Sequence, residues 1–381
     1  MYTPIAPLLG QHGDGLRLLE AHDQPSTKLI QQITGEGGEC FQGVWISGLT
    51  QTTHLGIPDT EIISPLQRAK IWQASSRNVD GIDGRPFCAA FDADSGGDVA
   101  EIPALVSVLA TIGVSMVIIE DKILEEPGKK VNSLLKSSGS QKQADPREFA
   151  KVIARFKSAA VGLNLLVTAR IESLNVRVPR ANPTEEKASL QASLRDALFR
   201  AGTYTRVGAD AIMIHSKSPS PAEVLDFLRR FRATDPLTPL VVVPTTYSTT
   251  LRATLVASGA DLIIYANHLM RAKIKAVASV SDQMMAQTPD LFSSDKPARD
   301  CLRAHNYGCL LRLLIERDSG HDQIDKEARK YLVVAQKLAL ANMAAAVKEL
   351  ASGDQSGCEA DGRIISVQDL LKINALQVMA V

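Results

Sequence analysis

The chain has 381 residues, 45% of them hydrophobic and 22% charged, enough for one large domain or two average ones with a substantial core. Lys+Arg and Asp+Glu balance at 42 each, so neither nucleic acid nor an anionic membrane surface is indicated as a partner, and any anion site must be built locally. No apolar run approaches the roughly 18 residues of a membrane span, the start lacks the basic region of a signal peptide, and five cysteines without a CxxC pair point to a reducing cytosol.

Short apolar runs recur along the chain, each ending in polar residues. In chain order the predicted strands are Leu16–Leu19 before Glu20-Ala21-His22-Asp23, Phe41–Ile46 before Ser47-Gly48-Leu49, and Phe87–Phe91 before Asp92-Ala93-Asp94. Ser115–Ile119 leads to Glu120-Asp121-Lys122, Leu163–Ala169 to Arg170 and Glu172, and Ala211–Ile214 to His215-Ser216-Lys217. Leu240–Val243 and Leu262–Tyr265 complete a set of about eight. Near-continuous apolar strands imply a parallel sheet covered on both faces, and Val99–Ala110, Pro146–Val161 and Pro221–Arg232 read as the amphipathic helices between them. The fold class is therefore α/β, a (βα)8 TIM-type barrel whose chemistry sits at the C-terminal strand ends; a doubly wound open sheet is the alternative.

Residues 1–285 are expected to form the barrel, and residues 286–381 a helical C-terminal extension that packs on it or on a neighbouring subunit. Lys122–Asp145, rich in Lys, Gly, Ser and Gln, has the composition of a mobile lid. Asn175–Lys187 is a second insertion in which Pro179 and Pro183 are expected to break any helix and leave the segment facing solvent.

Asp92, Asp94 and Glu120 carry the clearest chemical signal. Acids gathered at apolar strand ends need a cation, and a hard oxygen-rich site suits Mg²⁺, which takes one or two carboxylates and keeps several waters. Asp92 and Asp94 are expected on one face of one strand; the competing reading is a set of acids capping helix N-termini. Arg170 offers a planar fork for phosphate or carboxylate, and His215 can donate or shuttle a proton. Trp45 supplies an aromatic wall, and Ser47-Gly48-Leu49 a turn whose N–H groups suit an oxyanion. Lys130, Asn132 and Ser133 are polar groups in the predicted lid that can close over an anion or simply face solvent.

Taken together, EAHD at Glu20–Asp23, WISGL at Trp45–Leu49, LGIPD at Leu55–Asp59, DADSG at Asp92–Gly96, IEDK at Ile119–Lys122 and KVNSL at Lys130–Leu134 follow a familiar order. ARIES at Ala169–Ser173, HSK at His215–Lys217, VPTTY at Val243–Tyr247 and ANH at Ala266–His268 continue it. Over roughly Leu18 to Gln283 the chain resembles the phosphoenolpyruvate mutase family of the isocitrate lyase superfamily. The resemblance implies a barrel whose last helix is swapped between subunits of a homodimer or homotetramer. It implies Mg²⁺ held by Asp92, with Asp94 and Glu120 acting through water. Ser47, Gly48 and Leu49 would bind the substrate carboxylate and Trp45 would line the pocket. Asp59 would sit beside the reacting centre; Arg170, His215, Asn132 and Ser133 would hold the phosphoryl group, with Lys130 closing the lid. The implied reaction interconverts phosphoenolpyruvate and phosphonopyruvate in phosphonate biosynthesis, in the cytoplasm. A phosphonopyruvate decarboxylase would draw it forward.

Phosphonopyruvate hydrolase is the nearest rival, against which Asn132-Ser133 speaks. The superfamily's C–C lyases use a lid cysteine, whereas this chain has no cysteine between Cys88 and Cys301. A barrel kept as a metabolite-binding scaffold is the remaining alternative. The chain departs from the family in reading DADSGGD where DADTGYG is usual, and in its longer lid, the insertion after Ser173 and the C-terminal helices.

Overall fold

The computed structural model describes residues 2–10, 13–34, 38–75, 85–123, 142–287, 343–344, 347–348 and 365–370. Among them, eight strands form a closed parallel barrel in sequence order. They are β1 (Leu16–Ala21), β2 (Gly43–Ile46), β3 (Cys88–Asp92), β4 (Met116–Glu120), β5 (Leu166–Ile171), β6 (Ala211–Ile214), β7 (Leu240–Val242) and β8 (Leu262–Tyr265). The helices are α1 (Ala6–Leu9), α2 (Gln24–Gln32), α3 (Gly48–Leu55), α4 (Pro65–Ser75), α5 (Ile102–Thr111) and α6 (Pro146–Ala159). They continue with α7 (Pro183–Arg206), α8 (Ala222–Thr234), α9 (Arg252–Ala257) and α10 (His268–Gln287). The chain divides into two compact units: residues 1–20, 41–48 and 60–266 form the first, and residues 21–40, 49–59 and 267–381 the second.

The first unit holds the barrel. Register fixes which side chains fill its interior: Ala90 stands beside Met116, Met116 beside Leu166, Met213 beside Val241, and Leu262 beside Leu16. With a period of two, these inward positions collect Leu16, Leu18, Trp45, Cys88, Ala90, Met116, Ile118, Ala211, Met213, Val241, Leu262 and Ile264 into one buried cluster. Ile5 and Leu8 join it from the segment before β1, where the Ile5 amide donates to Ser115 Oγ at 3.0 Å. Outside the strands, α4 packs on α5, α5 on α6, α6 on α7, and α7 on α8.

The predicted strands match closely, and one helix does not. Pro183 begins the 24-residue helix α7 rather than breaking one. A proline at the first helical position loses no hydrogen bond, and the Asn182 side chain caps the turn by accepting from the amides of Thr184 (2.9 Å) and Glu185 (3.3 Å). The stretch before it is also partly inside: Ser173, Leu174 and Asn175 are buried. Most of the helical extension expected over residues 286–381 lies outside the described residues.

The second unit contains α2 and α10 and nearly all of α3. Asp23 caps α2 in a capping box with Ser26. Its carboxylate also meets Lys273 Nζ at 3.0 Å, and Lys273 lies 3.2 Å from His54 Nδ1.

Candidate active site

The inward series of β3 to β6 changes character at the C-terminal ends. Two residues beyond Ala90, Ile118, Thr168 and Met213 come Asp92, Glu120, Arg170 and His215, all buried and all in the first unit. Glu120 and Arg170 are direct neighbours in the β4–β5 register. The parity that fills the barrel with apolar side chains therefore delivers charged ones to its upper rim.

The acidic side is built around Gly48. A methyl group added there would lie 3.1 Å from Asp94 Oδ1 and 3.2 Å from Asp92 Oδ2, so both carboxylates close on the same glycine. The Gly48 amide donates to Asp92 Oδ2 at 3.1 Å, and the Asp94 amide approaches Asp92 Oδ1 at 3.3 Å. The two aspartates do not share a strand face as the alternation suggested. β3 stops at Asp92, and Asp94 adopts a left-handed φ of 52°, which a short polar residue tolerates. That turn, with the Asp94 carbonyl accepting from the Glu120 amide at 2.7 Å, brings the carboxylates together instead.

Arg68, on α4, holds this turn. It is buried, donates to Asp94 Oδ2 at 2.5 Å and to the Asp92 carbonyl, and lies over the Phe91 ring at 4.9 Å. Glu61 supports the next residue, accepting from the Ser95 amide (2.9 Å) and hydroxyl (2.8 Å). Gly97, standing where the family motif has its aromatic, has φ 72°, and a Cβ there would meet Pro65 at 3.1 Å. With this backbone, a side chain at position 97 would be strained.

The basic side spans β4 to β6. Lys122 Nζ meets Glu120 Oε1 at 2.9 Å, and Arg170 Nη1 lies 3.4 Å from Glu120 Oε2. Arg170 Nε donates to Glu172 Oε1 at 2.5 Å. Burial works against the Arg170 charge, yet Glu172, Glu120 and Asp92 hold its basicity above the ordinary range. Burial, then Arg170 and Lys122, depress His215 to about 3, so its imidazole is neutral near pH 7. Behind this side, Asp121 accepts from Tyr204 (2.7 Å), Gln143 (2.9 Å) and the Glu172 amide (2.9 Å) and pairs with Arg200 at 3.2 Å, tying β4, β5 and α7 together.

Among the described residues, Arg68 pairs with Asp94, Lys122 and Arg170 with Glu120, and Arg170 also with Glu172. Among the described residues no group of three or more His, Cys, Asp or Glu side chains is gathered so as to hold a metal ion, so Asp92, Asp94 and Glu120 do not meet as a trio of ligands. The two carboxylates that converge at Gly48 fit an ion that keeps most of its waters, and do not fit a zinc cage. Trp45 and Ser47 are buried on the same unit, and the indole N–H of Trp45 has no hydrogen-bond partner among the described residues. Leu49 and Asp59 are buried in the second unit, and Lys130, Asn132 and Ser133 lie outside the described residues.

Arg68, Glu61, Lys122 and Asn175 were not singled out from the sequence. Arg68 left a legible trace, since it falls on the face of α4 that buries Leu66, Ala69 and Trp72. Asn175, read as solvent-facing, is 2% exposed and contacts both Glu172 and His215.

Among the described residues no helix is long and apolar enough to cross a membrane. A phosphoenolpyruvate phosphomutase of Tetrahymena pyriformis is 30% identical over 265 residues, covering 69% of this chain and 77% of the relative. A phosphonopyruvate hydrolase of a Variovorax species is 28% identical over 264 residues, covering 69% and 79%. The crystal structure of phosphoenolpyruvate phosphomutase from Streptomyces platensis subsp. rosaceus superposes with a TM-score of 0.60 at 30% identity, covering 83% of this chain and 98% of that one. Residues 6–285 match the family model described as phosphoenolpyruvate phosphomutase, and the chain belongs to that family.

Proposed function

We propose that the chain is a Mg²⁺-dependent phosphoenolpyruvate mutase, an enzyme that interconverts phosphoenolpyruvate and phosphonopyruvate. The observation that carries this reading is the juxtaposition of the Asp92–Asp94 pair around Gly48 with the Arg170–Glu172–His215 group two strands away. The first suits a hydrated divalent cation, the second an anionic oxygen group.

Asp92 would hold the metal, with Asp94 and Glu120 acting largely through water. When bound, Mg²⁺ supplies positive charge beside the carboxylate and enolate oxygens of a pyruvate skeleton. Gly48 leaves room at the carboxylates that any side chain would fill. Arg170 presents a charged fork to the phosphoryl oxygens, and neutral His215 offers one more hydrogen bond. Transfer from enol oxygen to carbon passes through a loose, metaphosphate-like state, which needs positioning and charge more than covalent help. Water must be kept out, because it would divert the fragment to phosphate and pyruvate. Leu49, Asp59, Lys130, Asn132 and Ser133 take their roles from the family resemblance. The same resemblance supports a homodimer or homotetramer, cytoplasmic work in phosphonate biosynthesis, and a decarboxylase downstream.

Phosphonopyruvate hydrolysis is the second reading, favoured by the 28% identical Variovorax relative. Incubation with phosphonopyruvate and Mg²⁺, followed by ³¹P NMR, separates the two. Phosphoenolpyruvate is the expected product; inorganic phosphate with pyruvate would establish the hydrolase, and an unchanged spectrum would exclude both.

A further inference from the structure

Beyond β5 the chain folds back in a tight turn, with the amides of Asn175 (2.8 Å) and Val176 (3.0 Å) donating to the Glu172 carbonyl. This places the Asn175 side chain between two groups. Its Nδ2 donates to Glu172 Oε2 at 2.7 Å and lies 2.7 Å from His215 Nδ1. All three side chains are buried.

The orientation of the amide follows from Glu172. Although burial opposes it, the Arg170 guanidinium paired with Glu172, and Lys122 beyond it, hold this carboxyl below the usual carboxylate range, so it is ionised and can only accept. A flipped amide would set its oxygen against that carboxylate, two acceptors in contact. The NH2 end of Asn175 must therefore face Glu172. An amide nitrogen has two hydrogens, and with one on Glu172 the other is directed at His215 Nδ1. That ring nitrogen must accept. In a neutral imidazole the proton then sits on Nε2, at the far side of the ring.

We infer that Asn175 is a positioning residue that locks His215 as the Nε2–H tautomer, a neutral hydrogen-bond donor for an anionic oxygen of the substrate. Glu172 sets the amide, the amide sets the imidazole, and the imidazole presents a fixed donor without adding a second positive charge beside Arg170. The part of this concerning substrate rests on the proposed phosphoryl role of His215; the tautomer itself does not.

The test reads the tautomer directly. Long-range ¹H–¹⁵N correlation spectra of protein labelled with ¹⁵N-histidine, with no substrate present, report which ring nitrogen carries the proton, and the His215→Gln variant assigns the signal. The expected wild-type spectrum has unprotonated Nδ1 and protonated Nε2. In Asn175→Leu the signals should move to the averaged positions of a tautomer mixture. In Glu172→Gln the same averaging should appear with Asn175 still in place, because the amide is then free to turn. A wild-type Nδ1–H, or an Asn175→Leu spectrum unchanged from wild type, would overturn the inference. Should Asn175→Leu fail to fold by circular dichroism, the wild-type spectrum alone still decides. With substrate, Asn175→Leu should lower kcat/KM about tenfold, as loss of other partners that orient a functional imidazole does. A wild-type protein with the expected tautomer but no turnover would remove the proposed function and leave the positioning role standing.

Discussion

Where the barrel strands begin, Cys88, Met116 and Ala211 belong to an apolar cluster joined by Ile5 and Leu8, with the partly buried Leu166 packed against it. Four residues further along the same strands, the same inward parity delivers Asp92, Glu120, Arg170 and His215. Both ends are buried, but burial does opposite things. At the lower end it removes apolar surface from water and stabilises the fold. At the upper end it desolvates charges, and the cost is only offset by Arg68, Lys122 and Arg170 standing opposite the carboxylates. A buried charge cluster that contributes little stability belongs to function, as the upper face of such barrels usually does.

Substitutions that break this division sort by size. Arg170→Leu should have the largest effect, because it leaves Glu172 buried without its cation and removes one neighbour of Glu120. A loss of about 3–5 kcal/mol in urea unfolding is expected together with loss of the proposed turnover. Retained stability would show that the carboxylates are protonated rather than paired. Leu16→Ala, at a fully buried position of the lower cluster, should cost about 2–5 kcal/mol through the cavity it leaves. Turnover per folded molecule should nevertheless stay unchanged; a fall in kcat would mean the two ends are coupled.

Gly48→Ala should do the reverse at smaller scale. Its methyl group would press on both aspartates, forcing them apart by a few tenths of an ångström. Misplaced metal-side carboxylates should reduce kcat/KM by roughly 10- to 100-fold, and the Mg²⁺ concentration for half activity should rise, with little change in the urea midpoint.

The lower end was the more legible in sequence, for a physical reason. Continuous apolar runs mark strands buried on both faces, and Ala211–Ile214 and Leu262–Tyr265 could be read to the residue. β5 starts at Leu166 rather than Leu163, because the Leu163 amide closes a turn on Ala160 and its side chain is exposed. Acids at strand ends were equally visible, since an apolar run stopping at a carboxylate is unusual. What neutralises them was not. Arg68 reaches Asp94 from a helix 26 positions earlier, and Asn175 reaches His215 across 40, and no local pattern encodes such a contact. Pro183 shows the converse failure: its local rule was sound, but the rule depends on whether the proline stands inside a helix or at its first position.

The last prediction concerns pH and the upper rim alone. His215 holds its proton more weakly in the folded chain, at about 3, than the ordinary 6.5 it regains on unfolding. Between those values the unfolded chain binds one proton more than the folded one, so stability falls as pH drops from 6.5 and rises as pH climbs from 3. Burial also raises Asp121 to about 6, which acts with the opposite sign over part of that range. The wild-type slope alone is therefore ambiguous. The difference between wild type and His215→Asn is not, because Asp121 remains in both. Unfolding free energies from urea titrations between pH 4 and pH 6 should diverge by about 1.4 kcal/mol per pH unit, the wild type losing ground as acid is added. Parallel curves would mean that His215 stays charged in the folded protein. The upper rim would then carry an additional positive charge beside Arg170, and the imidazole would meet its ligand as a cation rather than as a neutral donor.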